Sequence, residues 1–304
     1  MGGAHSHSHG HEHAHGPANH GRAFAVGVVL NSAFVVVEAT FGFLSGSMAL
    51  VADAGHNLSD VLALLIAWGA SIAARQPPSA RFTWGLKSST ILAALANAML
   101  LLIAIGAISF ETVHRLFDPV EPQGETMIWV AGLGIVINTA TALMFMRGRA
   151  HDINIRGAFL HMAADALVSL GVVLAGVAIL LTGAHWIDPV TSLVIVAVIG
   201  WGTWSLLRDS VKLALHGVPD SVDEAAVRAF LSGLSGVASV HDLHIWPMST
   251  TETALSAHLV MPLGHPGDMF LHDLAEELEH HHHVGHVTVQ VETEGNGCEG
   301  CGHE

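Results

Sequence analysis

Two histidine–aspartate pairs stand four residues apart in this chain, His56 with Asp60 and His161 with Asp165. In an α-helix, residues i and i+4 lie on the same face. Each pair would therefore present one ring nitrogen and one carboxylate oxygen, and two facing helices would form an N₂O₂ set. Such a set suits tetrahedral Zn²⁺, which binds imidazole and carboxylate ligands at about 2.0–2.2 Å.

Both pairs lie in apolar stretches, LVADAGHNLSDVLALLIAWG and RGAFLHMAADALVSLGVVLAG. Ionisable side chains are costly in hydrocarbon, so their presence there indicates an ion pathway. In the alternative interpretation, each histidine only hydrogen-bonds its own aspartate and the helices simply pack. Imidazole ligands favour zinc over manganese or magnesium, whereas this ligand set does not sharply distinguish zinc from cadmium.

Other polar residues fall within the same apolar stretches. Asp53 precedes His56 by three residues and shares its helix face, so it either orients a ligand, lines the outer exit or faces water at the helix mouth. For Glu38, Asn97 and Asn138 we expect interhelical hydrogen bonds rather than ligation.

The composition is that of an integral membrane protein, with 51% hydrophobic residues, 12% charged residues and a mean hydropathy of +0.51. A helix crosses ~30 Å of hydrocarbon with about 20 residues. Six stretches meet that length, and each is predicted to be a transmembrane helix: 23–44, 48–74, 88–114, 126–146, 157–182 and 187–207.

Basic residues are concentrated in alternate connections, which predicts that both termini are cytoplasmic. These connections follow the second, fourth and sixth helices and contain Arg75, Arg81, Lys87, Arg147, Arg149, Arg156, Arg208 and Lys212. The net charge of −15 is located away from them and argues against a nucleic-acid partner, which requires a basic patch.

Four segments are predicted. Residues 1–21 contain seven histidines and form a disordered, metal-collecting tail; 22–212 form the transport domain; 213–295 form a soluble domain; and 296–304 form a C-x-x-C tail. The soluble segment has the pattern α-β-β-α-β, and its first helix is expected to begin with a Ser221–Glu224 capping box. The predicted fold is an all-α six-helix transmembrane domain plus a small α+β cytoplasmic C-terminal domain with its helices on one face.

SMALVADAGHNLSD, RFTWGLKSSTILAALANA, LHMAADALVS and VHDLHIWPM resemble segments of the cation diffusion facilitator family, in its bacterial zinc-efflux branch. The resemblance covers about residues 22–294. It implies a homodimer in the lipid bilayer of a bacterial inner membrane, which exchanges cytoplasmic Zn²⁺, and often Cd²⁺, for protons. It also implies that His56, Asp60, His161 and Asp165 are the transport-site ligands.

The resemblance further implies a metal site in the soluble domain, with His241, His258, His286 and Glu292 as ligands and His272 as a possible one. Cys298 and Cys301 lie on the reducing side, where they are thiols or metal ligands, and similar animal zinc transporters use such a pair to close a further site. Some relatives have another site, built from an aspartate and two histidines, between the second and third helices. Because ARQPPSARFTWGLK contains neither residue, we expect that site to be absent.

Zinc is therefore expected both as the transported ion and as a structural or regulatory ion. An enzyme is not expected, because catalytic zinc keeps three protein ligands, an open water position and a separate base, whereas the intramembrane set has four ligands and no evident base. The remaining alternative is a membrane zinc sensor or storage protein without net transport, which the histidine tail and the soluble domain would suit.

Overall fold

The computed structural model describes residues 21–118, 120–145 and 153–294, without the side chains of 21–28, 64, 145 and 153–158. The histidine tail up to residue 20 and the tail with Cys298 and Cys301 lie outside the described residues. Within the described ranges, six long helices precede the soluble domain: α1 (Gly21–Ser45), α2 (Met48–Ala74), α3 (Ser89–Phe117), α4 (Gly124–Phe145), α5 (Ile153–Thr182) and α6 (Ile187–Ala214).

Five of the described helices, α2 to α6, are long and apolar enough to cross a membrane, and Val29–Ser45 of α1 is a shorter apolar helix. Large apolar side chains cover the outside of the bundle; Trp201, for example, is 85% exposed in the single chain. A surface of this kind is stable in lipid and not in water, so the protein is an integral membrane protein.

The helix boundaries agree closely with the hydropathy prediction, with one main difference. The sixth helix was expected to end at residue 207, but α6 continues to Ala214. Hydropathy detects only the apolar part of a helix, whereas Arg208, Asp209 and Lys212 continue the same helix in water. The helix can do this because its backbone hydrogen bonds do not depend on apolar side chains.

The bundle is held by contacts of α1 with α2 and α4, of α2 with α3, α5 and α6, of α3 with α6, and of α5 with α4 and α6. Its apolar core includes the fully buried side chains of Leu50, Met127 and Val172. Helices α4 and α5 approach closely at Gly124 and Gly176. A Cβ atom on either glycine would lie 2.9 Å from the carbonyl oxygen of the other, so only glycine allows this spacing.

The soluble domain has the predicted order: α7 (Glu224–Ser232), β1 (Ser239–Pro247), β2 (Thr253–Val260), α8 (Asp268–His282) and β3 (His286–Glu292). Strand β2 is central, antiparallel to β1 and parallel to β3. The helices α7 and α8 contact each other and contribute Leu231 and Leu278 to one apolar core with Leu255 and Leu259 of the sheet.

The predicted start of α7 at Ser221 is wrong. Ser221 lies in a turn in which the amide of Val222 donates to the carbonyl of Pro219 (3.0 Å). Asp223 is the N-cap, and its carboxylate accepts from the amide of Ala226 (3.2 Å). Aspartate caps a helix as well as serine does, and the turn places Asp223 at the first free amides.

The connection between α2 and α3 is the place where the two domains touch. Lys87 forms an ion pair with Glu252 of the β1–β2 connection. The hydroxyl of Ser88 donates to the carbonyl of Met248 (3.3 Å), and the amide of Thr250 donates to the hydroxyl of Thr90 (3.1 Å). The soluble domain is thus attached at the start of α3, where the hydroxyl of Ser89 also donates to the carbonyl of Ala70 on α2 (3.0 Å).

Candidate metal centre

The two histidine–aspartate pairs form one cluster between α2 and α5. Nε2 of His161 lies 3.2 Å from Oδ2 of Asp60, and Nε2 of His56 lies 3.5 Å from Oδ1 of Asp165. The contacts within each pair are 3.7 Å for His56 with Asp60 and 3.6 Å for His161 with Asp165. Because each imidazole faces the carboxylate of the other helix, α2 and α5 are antiparallel here. The alternative of two separate packing pairs does not describe this arrangement.

These separations suit one shared cation. Ligand atoms bound about 2.0–2.1 Å from a tetrahedral ion are about 3.3 Å from one another. The ligand atoms of His56, Asp60 and Asp165 also lie within 4.8 Å of one another as a set. We call His56, Asp60, His161 and Asp165 the quartet.

Three polar atoms of the quartet have no hydrogen-bond partner in the part of the chain that the structure describes. These are Oδ2 of Asp60, Oδ2 of Asp165 and Nδ1 of His56, all buried and without a donor or acceptor among the described residues. Buried polar atoms in proteins are nearly always paired, so these oxygens mark a place where a bound ion would supply the missing interaction. Exposure rises from 2% at the Asp165 side chain to 40% at His161, so the cluster has an enclosed side and an open side.

A second group of potential ligands lies at one edge of the soluble sheet. The neighbouring strands bring together His241 of β1, His258 of β2 and Glu292 of β3, with one ligand atom of each within 4.8 Å of the others. Nε2 of His241 and Nδ1 of His258 lie 3.1 and 3.0 Å from the two carboxylate oxygens of Glu292. These three residues could hold a metal ion and leave a position for a further ligand.

Comparison with known proteins agrees with this architecture. Residues 24–213 match the cation efflux transmembrane domain, and residues 219–294 match the cation efflux protein cytoplasmic domain. The chain belongs to the cation efflux family. It is a member of a transporter family and not an enzyme.

Several curated relatives of the cation efflux family are similar over nearly their whole length. The zinc transporter ZitB of Yersinia pestis is 35% identical over 93% of this chain and 91% of its own. The metal cation efflux system protein CzcD of Cupriavidus metallidurans is 34% identical over 96% and 90%. The cadmium, cobalt and zinc/H(+)-K(+) antiporter of Bacillus subtilis is 32% identical over 90% and 89%.

Two of the predicted soluble ligands are not part of the His241–His258–Glu292 group. His286 pairs with Ala254 at the opposite end of β3, where its ring contacts Trp84 at a centroid distance of 4.6 Å. The six residues to Glu292 extend about 20 Å along a strand, so the two side chains share a face but not a site. His272 is exposed on α8.

The other polar residues singled out within the apolar stretches lie in different surroundings. Glu38 accepts a hydrogen bond from Asn57 (3.1 Å), as expected for an interhelical contact. Asp53 is fully buried and accepts from the hydroxyl of Ser169 (3.1 Å), so the prediction that it faces water at a helix mouth is wrong. Asn138 is fully buried, but its amide forms no hydrogen bond with any described residue, so the interhelical hydrogen bond predicted for it is wrong within that part of the chain. Asn97 lines a cavity beside the contact between the domains.

Sequence reasoning missed Asp242. A bulge between His241 and His244 gives Asp242 a φ of 52° and brings its Oδ2 to 3.5 Å from Nε2 of His258. Only a strand irregularity turns a residue next to a ligand toward the same site, and regular alternation would have placed it on the other face. A non-glycine residue with positive φ is the structural signal for such a site.

Proposed function

We propose that this protein exports Zn²⁺, and also Cd²⁺, from the cytoplasm in exchange for protons, through the quartet as a tetrahedral His₂Asp₂ site. The observation that carries the proposal is the set of four N–O separations of 3.2–3.7 Å, together with the buried Oδ2 atoms of Asp60 and Asp165, which have no hydrogen-bond partner among the described residues. Relatives named as zinc transporters, and one named as an antiporter, support this choice of ion and exchange.

The chemistry of zinc ligands links metal movement to proton movement. Zinc needs deprotonated ligands, so binding releases protons and protonation expels the metal. Histidine ordinarily titrates near pH 6.5, close to the pH on either side of a cell membrane. In the proposed cycle the quartet captures zinc from the cytoplasm, α2 and α5 rearrange, and protons entering from outside displace the ion.

We place both termini and the soluble domain on the cytoplasmic side. The basic connection with Arg75, Arg81 and Lys87 contacts the soluble domain through the Lys87–Glu252 ion pair, so both belong to the same side. We propose that the soluble domain binds zinc through His241, His258 and Glu292 and mediates a homodimer. The match to the cation efflux protein cytoplasmic domain supports that assignment.

Zinc flux into sealed vesicles containing the pure protein tests the transport site. We expect His56→Ala, Asp60→Ala, His161→Ala and Asp165→Ala each to abolish pH-driven ⁶⁵Zn uptake, because each removes one of four ligands. His114→Ala is the matched control, since His114 is exposed near the end of α3, away from the quartet, and its loss should leave the flux unchanged.

Near-normal uptake in three of the four quartet variants would disprove the site. Zinc bound by the wild-type protein without any flux would instead support a sensor or storage protein.

A further inference from the structure

A second group of buried polar side chains adjoins the quartet and contains no proposed metal ligand. It consists of Glu38 on α1, Asp53 and Asn57 on α2, and Ser169 on α5, each of which is 0% exposed. Asp53 precedes His56 by three residues and Ser169 follows Asp165 by four, so the group lies about one helical turn farther from the soluble domain.

The two carboxyl groups in this layer contact each other. Asn57 donates to Oε2 of Glu38, and Ser169 donates to Oδ2 of Asp53. Oε1 of Glu38 and Oδ1 of Asp53 are buried and have no hydrogen-bond donor within the described ranges. Asp53 precedes Asn57 by four residues on the same face of α2, so Glu38, which accepts from Asn57, lies beside the carboxyl group of Asp53 and interacts with it. An ionised carboxylate only accepts hydrogen bonds, so the contact is made only when one of the two carries a proton. We call Glu38 and Asp53 the carboxyl pair.

No lysine or arginine among the described residues forms an ion pair with the carboxyl pair. The titratable groups that act on it from the packed helices are His56 of α2 and Asp165 of α5. On the other helices that pack against α1 and α2, the titratable groups lie toward the helix ends: Glu111, His114, Arg115, Glu125, Asp188, Arg208, Asp209 and Lys212. The quartet is therefore the nearest group whose change in charge would affect the protonation of the carboxyl pair.

The charge of the quartet changes with its occupancy. When the quartet is empty, the negative charge of Asp165 disfavours a second negative charge on the carboxyl pair, and a proton shared between Glu38 and Asp53 is stabilised. A divalent cation about one turn away adds two positive charges in a poorly screened interior and favours loss of that proton. Metal and proton would then occupy neighbouring sites in alternation.

We propose that the carboxyl pair is a proton-binding site separate from the metal ligands. It holds one proton when the quartet is empty, and the O–H bond breaks to release that proton to water when a divalent cation binds. The inference rests on the proposed function and identifies a part of its proton coupling. It assigns Glu38 and Asp53 a role in the number of protons exchanged per metal ion, whereas the quartet binds the metal.

The number of protons exchanged per zinc ion tests this proposal in proteoliposomes with a trapped pH indicator and ⁶⁵Zn. We expect Glu38→Gln and Asp53→Asn, which keep size and hydrogen bonding, to transport zinc with about one proton fewer per ion than wild type. Asn138→Ala is the matched control, because Asn138 is an equally buried polar residue without a carboxyl group. Its proton-to-zinc ratio should equal that of wild type.

An unchanged ratio in both carboxyl variants would overturn the proposal. If a variant does not transport, the full-length protein in detergent still gives a result. Zinc addition should remove the infrared band of a protonated carboxyl group in wild type, and Glu38→Gln should show no such loss. Equal spectral changes in the two proteins would overturn the proposal. Failure of the proposed function is distinguishable, since the wild type itself would then show no zinc flux.

Discussion

At the scale of single residues, the distances within the quartet depend on two helices at once. His161 is nearer to Asp60 of α2 (3.2 Å) than to Asp165 of its own helix (3.6 Å), and His56 is nearer to Asp165 (3.5 Å) than to Asp60 (3.7 Å). A small shift of α2 against α5 therefore changes the cross-helix distances without breaking either helix. Such a shift is sufficient to change a tetrahedral site with bonds near 2 Å into a weak one.

The choice of metal should follow the ligand atoms. The double exchange His56→Asp with His161→Asp makes the site all oxygen, which suits Mn²⁺ better than Zn²⁺. We expect Mn²⁺ to compete with ⁶⁵Zn uptake more strongly in this variant, by on the order of tenfold. His114→Asp serves as the control for an added carboxylate on a membrane helix, and unchanged competition in the double variant would show that helix spacing selects the metal.

Asp242 is expected to position His258. Nδ1 of His258 faces Glu292 at 3.0 Å, while Nε2 faces Asp242 at 3.5 Å, the arrangement of a carboxylate that orients a metal-binding imidazole. Asp242→Gly should relieve the left-handed backbone, which disfavours other residues by roughly 1–2 kcal/mol, and yet weaken zinc binding roughly 10–100-fold. Chelator competition and thermal unfolding of the full-length protein measure the two effects.

Asp242→Asn separates the effects of charge and backbone. Asparagine tolerates positive φ, so this variant should lose zinc affinity without the gain in thermal stability. Zinc affinity equal to wild type in both variants would limit Asp242 to a structural role in the bulge.

At the scale of elements, the beginning of α2 is held by a residue of α6. Asp188 accepts from the hydroxyl of Ser47 (2.6 Å) and from the amides of Met48 (2.7 Å) and Ala49 (3.2 Å), while Ser47 itself caps the amide of Leu50 (3.2 Å). The first amides of a helix have no partner within it, and burial makes each unpaired one costly. Helix α2 is thereby fixed at the end that leads to the quartet.

Removing this anchor should destabilise the protein. We expect Asp188→Ala to lower the free energy of unfolding by about 2–3 kcal/mol, because it leaves buried donors without an acceptor. Thermal unfolding in detergent measures the loss. Asp118→Ala is the control, since Asp118 is exposed at the end of α3, and a similar loss in both variants would mean that the cap contributes nothing specific.

At the scale of the whole molecule, the soluble domain is connected to the helix that carries half of the quartet. The ion pair of Lys87 with Glu252 and the hydrogen bond from Ser88 to Met248 lie at the start of α3. The hydroxyl of Ser89, in the first turn of α3, donates to the carbonyl of Ala70 on α2 (3.0 Å). A movement of the sheet would therefore reach His56 and Asp60 through the start of α3 and its contact with α2. Zinc bound at His241, His258 and Glu292 would stabilise one position of that sheet by linkage, by about 2.7 kcal/mol at a hundredfold excess over Kd.

The C-terminal tail should add to this zinc. The three strand residues leave a tetrahedral ion incomplete, and Cys298 and Cys301 would supply further ligands, so we expect at least two zinc ions per soluble domain in the dimer. Deleting residues 296–304 should lower the bound zinc and reduce transport without abolishing it, because the quartet survives. Mass spectrometry of the full chain counts the ions. If the zinc content is the same with and without the tail, or the same in wild type and in the double variant Cys298→Ser with Cys301→Ser, the cysteines are not metal ligands.

The sequence by itself determined the helices and the identity of the quartet. Apolar length is a local property, so the boundaries of α2 and α5 could be predicted within a few residues. The i, i+4 spacing likewise placed His56 with Asp60 and His161 with Asp165 on single faces, because helical periodicity needs no knowledge of neighbours. The order of the soluble domain followed from strand alternation in the same way.

Only the tertiary structure decided which faces meet. Packing between distant segments brings each imidazole nearer to the carboxylate of the other helix. It also places Glu38 beside Asp53, and it allows Asp188 to cap a helix that begins 140 residues earlier. His286 shares a strand face with Glu292, yet the length of β3 keeps it from the site. Asp242 enters that site through a bulge that no alternation pattern predicts, because bulges arise from how two strands pair and not from the residues of one strand.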